Sequence, residues 1–213
     1  NKVYLAELLE RNNVPTPRTL VVHKDNVKEL QQTFNYPIIL KSPDSCLSQG
    51  VVKAKDEEGL KKILKDFFGK SDLIIAQEFM PTEYDWRIGI IDGEPFFACK
   101  YYMTGGHWQI TEWNDQGETN DGDHLTVPVS AVPSAVLEVA LQAAKLIGNG
   151  LYGVDVKEVD GKPFVMEVND NPNIDYGVED QVDGVKIYST IMSVFLKRLD
   201  QNKAVAQSNA LSK

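Results

Sequence analysis

Apolar residues recur along the chain with two different spacings, and these spacings predict its helices and strands. A spacing of three to four residues is typical of amphipathic helices, whereas alternation or a short apolar run is typical of strands. Helices are predicted over residues 2–12, 25–34, 56–68, 133–147 and 185–199. Short strands are predicted over residues 19–22, 37–41, 51–54 and 73–79, and residues 83–113 have the pattern of an antiparallel sheet.

Turn and loop residues divide these elements. Asp92-Gly93 and Asp160-Gly161 predict tight hairpin turns, the second between strands at residues 151–158 and 163–169. Two polar segments are predicted to be loops, at residues 42–50 and 114–124. The polar tail 200–213 is predicted to be disordered.

The composition indicates a globular protein that does not bind nucleic acid. A chain of 213 residues can form one ordinary domain or two small lobes. The net charge of −9 lacks the basic footprint of a nucleic-acid binder, but a few lysines in one cleft can still bind an anionic small molecule. No membrane-spanning segment or signal peptide is predicted. Cys46 and Cys99 form no disulfide framework, so a cytoplasmic location is expected.

The strongest chemical signal lies in the second hairpin, which reads Gly-Val-Asp-Val at 153–156 and Met-Glu-Val-Asn at 166–169. Side chains alternate along a strand, so Glu167 and Asn169 point to one side. With Asp155 they present three oxygen ligands, a set that suits Mg²⁺ together with substrate phosphates. A solvated polar strand face is the alternative, but polar groups at the ends of buried strands are costly without a partner. The hairpin is therefore predicted to bind metal.

This metal site constrains the register of the hairpin. With a plain two-residue turn, Asp155 would lie opposite Met166, and Glu167 would face the other side of the sheet. A shared metal therefore requires an odd-length connection, with Val159 opposite Pro163, or a β-bulge that shifts the register by one residue.

Other segments are candidates for binding a nucleotide. Lys41 ends an apolar strand and begins the loop 42–50, whose backbone N–H groups could bind phosphate; a solvated strand edge is the alternative. The strand 76–80 breaks at a proline, and such a hinge is a common place for an adenine ring. Arg87 and Lys100, on neighbouring predicted strands, could clamp a phosphate or carboxylate, or form surface ion pairs.

Taken in this order, the segments resemble the ATP-grasp superfamily, and most closely its RimK-type glutamate ligases. The resemblance covers residues 1–199. The motifs that carry it are Asn1-Lys2, Leu40-Lys41, Gln77-Glu78-Phe79, Asp85 to Arg87, Gly153-Val154-Asp155 and Met166-Glu167-Val168-Asn169. The most specific part is Asp155, followed twelve and fourteen residues later by Glu167 and Asn169.

The resemblance implies a binding site for ATP. The residues that it assigns to the nucleotide are Lys2, Lys41, Ser45, Ser48, Gly50, Gln77, Glu78, Phe79, Met80, Asp85 and Met166. Among these, Lys2 and Lys41 match lysines that hold phosphates, Glu78 and Phe79 match the adenine hinge, and Asp85 falls where the ribose is held.

The resemblance also implies catalytic and metal-binding roles. Arg87 and Lys100 match basic residues near the transferred phosphate and the substrate carboxylate, and are assigned to catalysis. Asp155, Glu167 and Asn169 match the ligands of two Mg²⁺ (or Mn²⁺) ions.

The implied fold is α+β, an ATP-grasp fold in which two α/β lobes with antiparallel sheets clamp the nucleotide. Residues 1–199 would form this core, with a small lobe over about 35–85 and a large lobe from the remainder. Ligases of this type carry a further domain ahead of Lys2, which we expect to be absent from this chain.

The implied reaction is the ATP-dependent joining of a carboxylate to an amine through an acyl phosphate. The substrates would be a small-molecule carboxylate and an amine-bearing amino acid, peptide or protein, with glutamate as an example of the amino acid joined. The loop 42–50 lacks the repeated glycines of the bacterial pattern. A nucleotide-binding module without turnover therefore remains an alternative. An ATP-dependent phosphotransferase is a second alternative.

Overall fold

The computed structural model of the protein describes residues 1–44, 50–105, 108–113 and 119–211, with the backbone alone at 112–113 and 205–211. The helices are α1 (Lys2–Arg11), α2 (Glu29–Thr33), α3 (Glu57–Phe68), α4 (Ser134–Ile147) and α5 (Val185–Leu211), with a 3₁₀ turn at Val129–Ala131. The strands are β1 (Thr19–Val22), β2 (Ile38–Lys41), β3 (Val51–Ala54), β4 (Ile74–Glu78), β5 (Tyr84–Ile91), β6 (Glu94–Tyr102), β7 (Thr111–Trp113), β8 (Thr119–Asp121), β9 (His124–Val127), β10 (Leu151–Val159) and β11 (Lys162–Asn169).

A four-stranded antiparallel sheet in the order β1-β4-β2-β3 forms the smaller lobe. Its apolar strands pack against α2 and α3, and α3 begins at Asp56, whose carboxylate accepts a hydrogen bond from the Gly59 backbone N–H at 2.8 Å. The predicted boundary at about residue 35 is too late because β1 pairs with β4 in this sheet. The residue pattern at 19–22 predicts a strand but does not determine which sheet this strand joins.

A five-stranded antiparallel sheet in the order β11-β10-β5-β6-β9 forms the larger lobe. One of its faces is apolar and packs against α4 and α1. The predicted hairpin turns at Asp92-Gly93 and Asp160-Gly161 are both present, with positive φ at each of the four residues, as a type I′ turn requires. The opposite face of this sheet carries the charged residues described below.

Two predicted irregular segments are in part regular. The tail from Asp200 was expected to be disordered, which is wrong as far as Leu211 because α5 continues to that residue. Residues 200–211 contain neither glycine nor proline and include three alanines, so nothing in the sequence ends the helix. The predicted loop 114–124 contains β8, while residues 114–118 lie outside the described residues. No helix in the described part of the chain is long and apolar enough to cross a membrane.

Candidate functional site

One face of the larger sheet carries charged side chains from neighbouring strands. Arg87 of β5 lies opposite Asp155 of β10, and directly opposite residues of antiparallel strands point to the same side. Alternation along the strands adds Asp85 and Lys157 to this face. Asp155 also lies opposite Glu167 of β11. Acidic and basic groups from three strands therefore share one face.

A β-bulge in the hairpin of β10 and β11 determines where Glu167 points. The turn itself has two residues, and Val156 lies opposite Val165. One step further, Asp155 lies opposite Glu167, so Met166 is the additional residue. The predicted register shift is confirmed, and it arises from a bulge and not from an odd-length turn. Without the bulge, Glu167 would face the apolar core.

The predicted metal ligands are brought together by this register. The Asn169 side-chain amide donates to Asp155 Oδ2 at 3.3 Å and to the Gly153 carbonyl at 3.4 Å. Among the described residues there is no group of three or more His, Cys, Asp or Glu side chains suited to a metal. The predicted set instead consists of two carboxylates and one amide, a donor set that fits Mg²⁺ when phosphate oxygens complete the coordination.

Gly153 allows another segment to lie close to these predicted ligands. A Cβ atom at this position would be 2.7 Å from Pro172 Cβ and 3.6 Å from Arg87 Cδ. Only glycine leaves room for the chain after Asn169 to cross β10 at this distance. The glycine of the Gly-Val-Asp motif therefore has a packing role beside the site.

Both carboxylates of the predicted metal site form ion pairs in this structure. Arg87 donates from Nε to Asp155 Oδ1 at 2.7 Å and from Nη2 to Oδ2 at 2.9 Å, a bidentate pair. The Asp155 charge raises the pKa of the Arg87 guanidinium. Lys2, at the start of α1, donates to Glu167 Oε1 at 2.7 Å. The two basic residues that are predicted to bind phosphates and to act in catalysis therefore neutralise Glu167 and Asp155.

A third ion pair lies next to these two. Lys157 Nζ is 2.6 Å from Asp85 Oδ1 and 2.6 Å from Thr82 Oγ1, and Thr82 also donates to Asp85 Oδ1 at 3.0 Å. The Lys157 and Asp85 side chains are only 11% and 13% exposed. Burial raises the pKa of the Asp85 carboxyl, and the Lys157 charge opposes this shift. The predicted ribose residue is thus anchored by a lysine that the sequence analysis did not identify.

Lys41 brings the smaller lobe to this site. Lys41 is the last residue of β2. Burial lowers the pKa of its ammonium group to about 8. The Glu167 charge on the larger lobe raises this pKa, and the Lys2 charge lowers it. The backbone N–H of Lys2 donates to the Pro43 carbonyl at 3.1 Å, just after Lys41. A cleft here is lined by Lys2, Thr19, Lys41, Gln77, Met166 and Glu167, among others. Five predicted nucleotide-site or metal-site residues therefore meet between the lobes.

The predicted adenine hinge follows β4. The Glu78 carboxylate accepts a hydrogen bond from the Arg18 backbone N–H at 2.7 Å, so its side chain holds the preceding segment. The Phe79 ring is covered by the Lys53 ammonium group, 4.4 Å from its centroid, and by Trp108, whose ring centroid is 6.1 Å away. Lys53 was not identified from the sequence.

Three hinge and loop residues complete the placement of the predicted set. Gln77 donates from Nε2 to Thr19 Oγ1 at 3.0 Å, and its buried Oε1 has no partner among the described residues. Met80 follows the hinge and is partly exposed. The Gly50 carbonyl accepts from the Ser42 N–H at 2.9 Å, which closes the predicted phosphate loop. Ser45 and Ser48 lie outside the described residues.

Lys100 is not part of this constellation. It lies opposite Trp86, one residue from the position opposite Arg87, and so faces the other side of the sheet. Its ammonium group is 4.1 Å from the Tyr84 ring centroid and 4.6 Å from that of Trp86. The predicted clamp of Arg87 with Lys100 is therefore wrong, because residues of even and odd position on these strands point to opposite faces.

The buried acidic residue Glu179 contacts Tyr101, which lies beside Arg87. The Tyr101 hydroxyl donates to Glu179, which is 0% exposed and also accepts from the Asp175 backbone N–H at 2.8 Å. Burial raises the pKa of the Tyr101 hydroxyl. The Arg87 guanidinium lies 5.2 Å from the Tyr101 ring centroid. The sequence carried no signal for Glu179, since it lies in a loop without periodicity, whereas alternation from Asp155 would have identified Lys157.

Comparison with known proteins assigns the chain to a family. The family model described as the RimK-like ATP-grasp domain matches residues 1–194. The chain belongs to this family. The RimK-like chain is 30% identical over 180 residues to the coenzyme gamma-F420-2:alpha-L-glutamate ligase of Methanococcus maripaludis, a match that covers 81% of the chain and 59% of that protein. It is 27% identical over 177 residues to the D-alanine–D-alanine ligase of Pediococcus pentosaceus, covering 82% and 50%.

The RimK-like chain thus spans about three-fifths of the length of the first of these relatives. A solved D-alanine–D-alanine ligase from Bacillus anthracis superposes with a TM-score of 0.71 at 18% identity, covering 95% of this chain and 69% of that one. A RimK domain protein from Sphaerobacter thermophilus superposes with a TM-score of 0.58 at 18% identity, covering 79% and 58%. The α+β ATP-grasp fold predicted from the sequence is confirmed.

Proposed function

We propose that this RimK-like chain binds ATP with Mg²⁺ between its lobes and activates a carboxylate for attack by an amine. The observation that carries the proposal is the bulge at Met166. It directs Glu167 to the same face as Asp155 and Arg87, at the place where Lys41 of the smaller lobe approaches. Cations for phosphates and oxygen ligands for a metal are thereby concentrated in one cleft.

Asp155, Glu167 and Asn169 would hold one or two Mg²⁺ ions. When bound, Mg²⁺ neutralises triphosphate charge and orients the phosphates. Lys2 and Lys41 bind phosphate oxygens as point charges. Arg87 presents its planar guanidinium to the phosphoryl group that is transferred.

The reaction proceeds in two transfers. The substrate carboxylate oxygen attacks the γ-phosphorus, the bond from this phosphorus to the β–γ bridging oxygen breaks, and ADP leaves. The amine then attacks the acyl carbon, the bond from this carbon to the oxygen that it shares with phosphorus breaks, phosphate leaves with that former carboxylate oxygen, and the nitrogen loses a proton. The products are an amide, ADP and phosphate. The chain's residues contribute positioning and charge stabilisation, and no covalent enzyme intermediate is needed.

Ligand binding at this site requires an exchange of ionic partners. Lys2 and Arg87 now neutralise Glu167 and Asp155. Metal binding without phosphate would break both ion pairs without giving Lys2 and Arg87 a new anion in exchange, and phosphate binding without metal would break them without giving Glu167 and Asp155 a new cation. Nucleotide and metal should therefore bind cooperatively, because each provides the partner that the other displaces.

The proposed substrates follow the names of the relatives. Several are named alpha-L-glutamate ligases, and we propose an amino acid such as glutamate as one substrate, with an amino acid, peptide or protein as the other. A cytoplasmic location, where ATP is abundant, belongs to the same proposal. The glycine-poor segment 42–50 favours one rival, a nucleotide-binding module without turnover.

Hydroxylamine trapping tests the proposed function. The full-length protein with ATP, Mg²⁺ and a series of amino-acid and peptide carboxylates should release ADP and form a hydroxamate, since hydroxylamine replaces the amine. Glu167→Gln should abolish hydroxamate formation, whereas Glu138→Gln on the exposed side of α4 should not. ATP binding without hydroxamate from any carboxylate would support the binding module, and a stable phosphorylated product would support a phosphotransferase.

A further inference from the structure

Lys157 is a buried cation on the functional face of the larger sheet. It lies on β10 two residues after Asp155, so both side chains point to the same side. The residue is only 8% exposed. Its ammonium group contacts Asp85 Oδ1 and Thr82 Oγ1, each at 2.6 Å.

Stability alone does not explain this pair. Burying a lysine and an aspartate costs several kcal/mol per ion, and their attraction seldom returns more than that cost. Well-packed apolar residues of similar volume would serve the fold at least as well. A buried ion pair on a ligand-binding face is therefore a candidate for a role in binding.

The ammonium group of Lys157 retains a donor for a ligand. A lysine has three N–H donors, and two of them are directed to Asp85 and Thr82. The third has no acceptor among the residues that the structure describes. Thr82 and Asp85 hold the Nζ atom, so the otherwise flexible lysine side chain has a defined position.

Lys157 also lies close to the proposed phosphate site. The charges that act on Lys41 include Lys157 and Asp85 as well as Glu167 and Lys2. Lys2 and Lys157 are therefore near enough to Lys41 to act on it, and these three ammonium groups outnumber the two carboxylates of Glu167 and Asp85, which favours a polyphosphate.

We propose that Lys157 is a third lysine of the nucleotide phosphate site, held in position by Asp85 and Thr82. The inference rests on the ATP binding proposed above and adds to it a residue on the larger lobe. Asp85 then acts through Lys157, as a positioning residue, and not by holding the ribose.

Calorimetric titration with adenosine, AMP, ADP and ATP in the presence of Mg²⁺ tests this role. Lys157→Met should leave the Kd for adenosine unchanged and weaken ATP about tenfold to a hundredfold, the effect of losing one charge-assisted contact. The loss should grow with the number of phosphates. Lys162→Met, an exposed lysine on the same hairpin, is the matched control and should leave the whole series unchanged.

A double variant guards against a folding defect, because Lys157→Met alone leaves Asp85 buried without its partner. Lys157→Met/Asp85→Asn removes both charges and should retain the phosphate-dependent loss. An equal loss for adenosine and ATP, or no loss, in the folded double variant overturns the proposal.

Lys41→Met separates this failure from a failure of the proposed ATP site. A phosphate-dependent loss in Lys41→Met without one in the Lys157 variants would reject only the role of Lys157. If Lys41→Met shows no such loss either, the ATP site itself is misplaced and both proposals fall.

Discussion

Removing Lys2 should tighten metal binding in the absence of nucleotide. Its Nζ atom lies 2.7 Å from Glu167 Oε1, so a metal at Glu167 has to displace it. Two unit charges at this distance attract by about 6 kcal/mol at an effective dielectric constant of about 20. The Glu167 side chain is 36% exposed and that of Lys2 is 17% exposed, so solvent screening and desolvation reduce the net value to about 1–2 kcal/mol. Lys2→Met should therefore bind Mn²⁺ about five- to thirtyfold more tightly.

Electron paramagnetic resonance of free Mn²⁺ measures this affinity directly, because protein-bound ion loses the sharp solution signal. Lys62→Met removes the same charge from an exposed position on α3 and corrects for the change in net charge. With ATP present, Lys2→Met should instead weaken nucleotide binding, since the lysine is then lost from the phosphates. An unchanged or weaker Mn²⁺ affinity in the nucleotide-free variant would refute the exchange of partners.

Three further predictions concern Lys41, Gly153 and Tyr101. The pKa of Lys41 is lowered to about 8, so its positive charge is lost as pH rises through that value. The Kd for ATP, measured by calorimetry, should therefore increase between about pH 7 and pH 9, while the Kd for adenosine stays constant. Gly153→Ala places a Cβ atom 2.7 Å from Pro172 Cβ and should destabilise the chain by about 1–3 kcal/mol in urea unfolding. Gly105→Ala, where a Cβ meets nothing within 4 Å among the described residues, should leave the stability unchanged, and equal destabilisation by the two substitutions would contradict the packing role of Gly153. Tyr101→Phe removes the hydroxyl donor of buried Glu179 and should cost about 1–3 kcal/mol, against no cost for Tyr4→Phe at an exposed position.

The register of the hairpin of β10 and β11 could be predicted from the sequence because its constraints are local. Alternation placed Glu167 and Asn169 on one side, and the Asp-Gly pair placed the turn. With a two-residue turn alone, Asp155 and Glu167 would point to opposite faces of the sheet, so a shift of one residue was required. The bulge at Met166 provides this shift. Val165 and Val168 both pack in the core although they are an odd number of residues apart. That spacing was a further sign of the bulge in the sequence.

Features that depend on contacts distant in the sequence were not predicted. Lys2 and Glu167 are 165 residues apart, and nothing local indicates that they pair. The predicted clamp of Arg87 with Lys100 is wrong because two strands being neighbours does not determine their register, and the register places the two residues on opposite faces. Strand pairing also decides that β1 belongs to the smaller lobe. The order of elements along the chain does not determine this pairing.

The most direct test of the central claim follows an oxygen atom. A carboxylate substrate labelled with ¹⁸O is incubated with the full-length protein, ATP, Mg²⁺ and the amine, and the released phosphate is analysed by mass spectrometry. An acyl-phosphate ligase transfers one carboxylate oxygen to phosphate in each turnover, so we predict one ¹⁸O atom in each phosphate formed with amide. Phosphate that is released with amide but carries no ¹⁸O would contradict the claim that this site activates a carboxylate by phosphorylation.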